Sequence, residues 1–164
     1  MTLRYVKGDI TSNILLENEG LNITNDIFGK PVILIHVCNN AGGWGAGFVN
    51  VLSSKYPEPE KIYRNAKVLT LGDIQMVKVL GNMYVINMIA QTLYYRKKVN
   101  LDYNALAKCL ESVNKIAEVM DAVIIGPKFG AGLAGGDCQE VEKLIKTQFN
   151  LFSRDEIIFE LDKK

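Results

Sequence analysis

The sequence has a single histidine, a single tryptophan, three cysteines and four prolines in 164 residues, and almost no net charge. One histidine, His36, with cysteines as far apart as Cys38, Cys109 and Cys138, offers no ligand set for a structural zinc. The odd number and wide spacing of the cysteines point to a reducing, cytoplasmic setting. Lysine and arginine total 19 against 18 acids, so no general field attracts nucleic acid, and any anionic ligand must be held by local geometry. The first ten residues lack the apolar stretch of a secretory signal, and no uninterrupted apolar run approaches the roughly 20 residues that cross a bilayer. The expectation is a soluble monomer with no membrane contact.

What is present suits one compact domain over residues 1–164: 48% of the chain is hydrophobic, enough for a self-sufficient core. Residues 3–6 read as a first strand, closed by Lys7, Gly8 and Asp9, and residues 18–30 as loop. The apolar run 32–35 predicts a strand buried on both faces, and Asn39, Asn40 and four glycines between Gly42 and Gly47 mark where it stops. A helix opening near Ala46 follows, with Phe48, Val51, Leu52 and Tyr56 inward, ended by Pro57 and Pro59. A short helix over 59–66 should turn Ile62 and Tyr63 inward. Residues 68–71, 74–80 and 83–90 read as strands, the last two joined by a tight turn at Gly81 and Asn82, and residues 91–101 as a polar loop carrying Arg96, Lys97 and Lys98.

Asp102 is placed to cap a long helix whose Leu106, Leu110, Val113, Ala117 and Met120 recur at spacings of four and three. A buried strand over 122–125 leads to a second glycine-rich loop, 130–136. A last helix starts at Asp137 with Glu140 as a capping box and Val141, Leu144, Ile145 and Phe149 inside. A closing strand covers 156–161. Alternating strands and helices with one hairpin give an α/β layer structure with a mixed sheet.

Both glycine loops follow a strand and precede a helix, where free backbone N–H groups and the positive end of a helix dipole favour a phosphate or diphosphate. In such sheets ligands lie outside the carboxyl ends of the strands, so the two loops could flank one cleft. Neither loop fits the G-x-x-x-x-G-K-[ST] or G-x-G-x-x-G pattern, which disfavours an ordinary ATPase or nicotinamide enzyme. Beside the first loop, His36 is either a general acid or base or a satisfied half-core histidine. Asn39 and Asn40 either bind sugar hydroxyls or stabilise the turn. Trp44 either covers a sugar or packs. Cys38 and Cys138 read as small buried residues, and Asp137 as a cap.

Three blocks, Tyr5 to Ile10, His36 to Phe48 and Pro127 to Asp137, together with the Tyr56, Pro57 pair, resemble the macrodomain family over nearly the whole chain. Within it the pattern is similar to the branch that holds the ADP-ribose 1''-phosphate phosphatases of yeast type and their bacteriophage-encoded relatives, and to terminal ADP-ribose glycohydrolase. The resemblance implies a three-layer α/β/α fold binding ADP-ribose or ADP-ribose 1''-phosphate, with no cofactor and no metal. It implies that Asp9 and Ile10 hold the adenine, in a pocket lined by Phe159 and Leu161. Gly130, Ala131, Gly132, Leu133 and Ala134 would cradle the diphosphate. Asn39, Asn40, Trp44, Gly45, Ala46 and Gly47 would surround the distal ribose and its phosphate, and His36, with Asn39, would serve catalysis. The lysine and aspartate of the glycohydrolase correspond here to Gln91 and Ala134, neither of which can act as an amine nucleophile or a carboxylate base. The implied activity is therefore hydrolysis of ADP-ribose 1''-phosphate, with removal of ADP-ribose from protein or nucleic acid, or ADP-ribose reading without catalysis, as alternatives.

Overall fold

The computed structural model describes residues 2–7, 30–45, 48–94, 98–127, 138–149 and 155–160. In chain order the elements are β1 (Thr2–Lys7), β2 (Val32–Asn39), α1 (Phe48–Lys55), α2 (Glu58–Asn65), β3 (Ile74–Leu80), β4 (Met83–Tyr94), β5 (Lys98–Leu101), α3 (Tyr103–Met120), β6 (Val123–Pro127), α4 (Cys138–Phe149) and β7 (Asp155–Glu160). They form one mixed sheet in the order β1-β7-β6-β2-β4-β3, with β5 also paired to β4. The run β1, β7, β6, β2, β4 is parallel throughout, while β3 and β5 pair antiparallel to β4.

Side-chain alternation along β2 and β4 divides the core. Ile33, Ile35, Ile86 and Met88 pack with Leu106, Leu110 and Val113 of α3 and Val141 and Ile145 of α4. Leu34, Cys38, Val85 and Ile89 pack on the other face with Phe48 and Leu52 of α1 and Tyr63 of α2. A strand covered by helices on both sides has no reason to alternate apolar with polar, which is why 32–35 is continuously apolar. The result is the expected three-layer α/β/α sandwich with a mixed sheet. Asp102 caps α3 by accepting from the Ala105 amide at 2.9 Å, and Asp121 ends the helix in the left-handed region at φ 51°.

The parallel strands send their carboxyl ends to a common edge, and their order creates a switch point there. From β2 the chain moves through α1 and α2 toward β3 and β4; from β6 it moves through α4 to β7 on the opposite side. Since β2 and β6 are neighbours and the elements after them lie on opposite sides in the sheet order, their carboxyl ends form a topological switch point, where ligands of such sheets bind. Pairing of the two strands runs from Val32↔Val123 to Leu34↔Ile125 and then stops. Just beyond, Gly126 lies so close to β2 that a Cβ there would stand 2.6 Å from the Ile35 carbonyl oxygen. Only glycine admits that approach.

Several expectations need correction. Residues 68–71 form no strand: Val68 is 77% exposed, and the Asp73 amide bonds Thr70 O while the Gly72 amide bonds Ile89 O. That clip, with Gly72 at φ 92°, uses the segment as a turn, and the ladder begins only at Ile74. Residues 91–101 are not a polar loop, because β4 continues to Tyr94 and β5 returns from Lys98. Beyond Gln91 there is no β2 partner, so polar residues are tolerated in this extension of the sheet. On α2, Pro59 and Tyr63 face inward and Ile62 is 48% exposed; on α1, Val51 likewise faces out. In each case an i, i+4 pair takes the small buried face and leaves the adjacent position outside. Residues 18–29 and the Asp137 cap lie outside the described residues, as does the side chain of Phe149.

Candidate active site at the strand switch point

The first glycine loop leaves β2 at this switch point and is built by one side chain. Asn39 Oδ1 accepts from the amides of Ala41 (2.9 Å) and Gly43 (3.3 Å), and its Nδ2 donates to Gly43 O at 2.6 Å. An asparagine bonding backbone two and four residues ahead fixes a tight turn. Gly42 and Gly45, at φ 90° and 71°, supply the left-handed backbone that the turn needs. Asn40 is exposed at the tip, and its amide donates to Gln91 O at 2.9 Å. The amides of Asn40, Ala41 and Gly43 are therefore engaged within the protein, and an anion must look to the later part of the loop and the start of α1. Ala46 and Gly47 fall there, outside the described residues.

Beneath this loop lies a buried polar network. His36 is 2% exposed, and its Nε2 lies 2.5 Å from Asn87 Oδ1. Asn87 Nδ2 donates to Pro59 O (3.0 Å) and Gln75 Oε1 (3.1 Å), so the atom turned to the imidazole is the carbonyl oxygen and Nε2 carries the proton. Nδ1 is then an acceptor, with Cys38 Sγ 3.8 Å away. Burial lowers the His36 pKa to about 4, only partly opposed by the bond to Asn87, so the ring is neutral at pH 7. Burial likewise pushes the Cys38 thiol far above its usual range, and Cys38 is a small buried residue as expected. Trp44 and Phe48 stand edge-on to the imidazole at 5.4 and 5.9 Å between centroids. These contacts match the half-core reading of His36, not that of an open acid or base.

Trp44 is 4% exposed, and its indole N–H reaches Val49 O (3.1 Å) and Ser53 Oγ (2.5 Å). Its ring packs, and only its backbone is left for a ligand. Of the other residues implied by the resemblance, Phe159 lies on β7 opposite Val6 of β1 and Pro127 of β6, at the same edge of the sheet as the first loop; its backbone alone is described. Asp9, Ile10, Leu161 and Gly130 to Ala134 are outside the described residues. The second loop nevertheless departs from Pro127, one strand away from the first, so the switch point brings the stems of both loops together. Gln91 sits opposite Asn39 where the register skips Ala90, a bulge of the kind that re-aims side chains beside sites.

Two residues of this arrangement are absent from the motif-based set. Asn87 carries a readable signal, a lone amide in the otherwise apolar run 85–90, since a buried amide must find partners. Tyr63 reads as inward-facing, but its hydroxyl carries no signal in the sequence.

Comparison with known proteins adds to this geometry. No protein-family model matches the chain. It is 24% identical to a protein named ADP-ribose 1''-phosphate phosphatase from Lodderomyces elongisporus, over 94% of this chain and 100% of that one. Among solved structures, a protein of unknown function from Bacteroides thetaiotaomicron is 33% identical with a TM-score of 0.82, covering 98% of this chain and 99% of the other. A macrodomain protein from Streptomyces coelicolor is 29% identical with a TM-score of 0.74, covering 99% and 100%. Taken with the layered sheet and its switch point between β2 and β6, these likenesses establish that the chain belongs to the macrodomain family.

Proposed function

We propose that this macrodomain binds ADP-ribose and hydrolyses ADP-ribose 1''-phosphate to ADP-ribose and inorganic phosphate. The observation that carries the reading is that β2 and β6 are adjacent parallel strands at a topological switch point, each followed in sequence by a glycine-rich segment, in a chain similar along its length to a protein named for that activity. In this reading Asp9 and Ile10 hold the adenine in a pocket lined by Phe159 and Leu161, and the amides of residues 130–134 take the diphosphate. The distal ribose and its phosphate lie along residues 40–47. A water oxygen attacks phosphorus, the bond from phosphorus to the 1'' oxygen breaks, and that oxygen leaves with a proton. Preorganised amides stabilise the charge that develops on the phosphoryl oxygens. His36 is assigned to positioning: a ring kept neutral by burial, with Nε2–H on Asn87, supports the loop from below.

The test is incubation with ADP-ribose 1''-phosphate, followed by assay of released phosphate. Turnover that survives in chelator is the expected result. The same protein incubated with ADP-ribosylated protein or nucleic acid decides the rival: release of ADP-ribose there, with no phosphate from the first substrate, replaces the proposed activity. Binding of ADP-ribose with neither turnover makes the protein a reader. Gln91, where an amine nucleophile would be needed, weighs against a covalent lysine route.

A further inference from the structure

Tyr63 lies on α2, away from the glycine loop in sequence, and is completely buried. Its hydroxyl oxygen is 2.7 Å from Asn39 O, 2.9 Å from Asn39 Oδ1 and 3.2 Å from Gly43 O. Three acceptors thus surround one proton, at the residue that builds the loop and at the residue where the loop closes. The phenol ring also stands 5.3 Å from the Trp44 ring. The helix that carries Tyr63 is tied to the sheet at its other end, where Pro59 O accepts from Asn87.

We propose that Tyr63 is a positioning residue that fixes the shape of the first glycine loop before any ligand arrives, and so sets the protein's preference for the distal end of an ADP-ribose ligand. This rests on the reading of the site given above. The Tyr63 hydroxyl keeps the Asn39 amide turned inward onto Ala41 and Gly43, so a ligand meets loop backbone and the exposed Asn40 instead of the Asn39 side chain. Burial raises the phenol's ionisation far above its usual range, which keeps the donor in place through neutral and mildly alkaline pH. Without that proton, Asn39 is held only by its own loop, and the loop can take other shapes. A site fixed in advance loses less on binding than one that must be ordered by its ligand.

Replacing the tyrosine by phenylalanine removes one oxygen and leaves the ring that packs against Trp44. In Tyr63→Phe, amide hydrogen exchange at Ala41 and Gly43 should quicken while exchange in α3 is unchanged. Affinity for ADP-ribose should fall about tenfold, the equivalent of one hydrogen bond. Affinity for ADP, which ends at the diphosphate and lacks the distal ribose, should not change. A merely structural role would weaken both ligands alike, and that result overturns the proposal, as does unchanged exchange at Ala41 and Gly43. If the unmutated protein binds no ADP-ribose, the functional reading and the ligand preference fall together, while the exchange measurement still decides whether Tyr63 holds the loop.

Discussion

The two faces of the sheet are filled with different chemistry. Under α3 and α4 the core is made of aliphatic side chains such as Ile33, Ile86, Leu106 and Leu110, and its buried amide, Asn114, lies at the seam between those helices, donating to Gln148 O. Under α1 and α2, His36, Asn39, Asn87 and Tyr63 are buried among apolar neighbours and hydrogen-bonded in two pairs, His36 with Asn87 and Asn39 with Tyr63. An aliphatic core stabilises without direction, whereas a buried polar network holds only when every member is satisfied and therefore specifies one arrangement. The second kind lies directly beneath the first glycine loop. The first face supplies stability, and the second supplies shape.

Mutation can pull these roles apart. Leu106→Ala, on the aliphatic face, should cost about 3 kcal/mol of stability through lost burial and a cavity. Urea unfolding should show this as a lower midpoint with ligand affinity unchanged, and an altered affinity would break the division of labour. The next largest effect is in acid. The folded-state pKa of His36 is about 4 against an ordinary 6.5, so between those values the unfolded chain binds the extra proton. Stability is fully present above about pH 6.5 and declines as pH falls toward 4, by about 3 kcal/mol at most. His36→Gln lacks this titration, so the pH slope of its unfolding free energy should be shallower in that window. Equal slopes would show that the ring is not buried neutral.

The smallest expected effect falls where the faces meet. Gly126→Ala puts a methyl group 2.6 Å from the Ile35 carbonyl oxygen, a backbone atom that cannot swing aside, so β6 must shift. A loss of about 2 kcal/mol is expected. Because β6 carries the second loop, ADP-ribose affinity should fall as well. Stability lost with affinity kept would separate the strand approach from the site.

The layers were readable from the chain because each rests on a local pattern. The apolar run at 32–35 argued for a doubly covered strand, which β2 is, and the four-and-three spacing from Leu106 to Ala117 gave α3 with its Asp102 cap. The resemblance in three blocks fixed the family. Errors arose where a short segment has weak periodicity: 68–71 is apolar enough for a strand but is turned by Gly72, and Gln91 to Tyr94 is polar enough for a loop but is held by β5. Asn39 could be read both as sugar ligand and as turn builder, and its hydrogen bonds take the second role.

By itself the sequence determined most of the order of strands and helices, the first glycine turn and the absence of a strong net field, since composition and spacing act over a few residues. Only the tertiary structure decided that β2 and β6 are neighbours, that His36 is sealed beneath the first loop, and that Tyr63 reaches Asn39. Those facts depend on pairing and burial between residues far apart in the chain, and no local pattern encodes which distant amide or hydroxyl will satisfy a buried polar group.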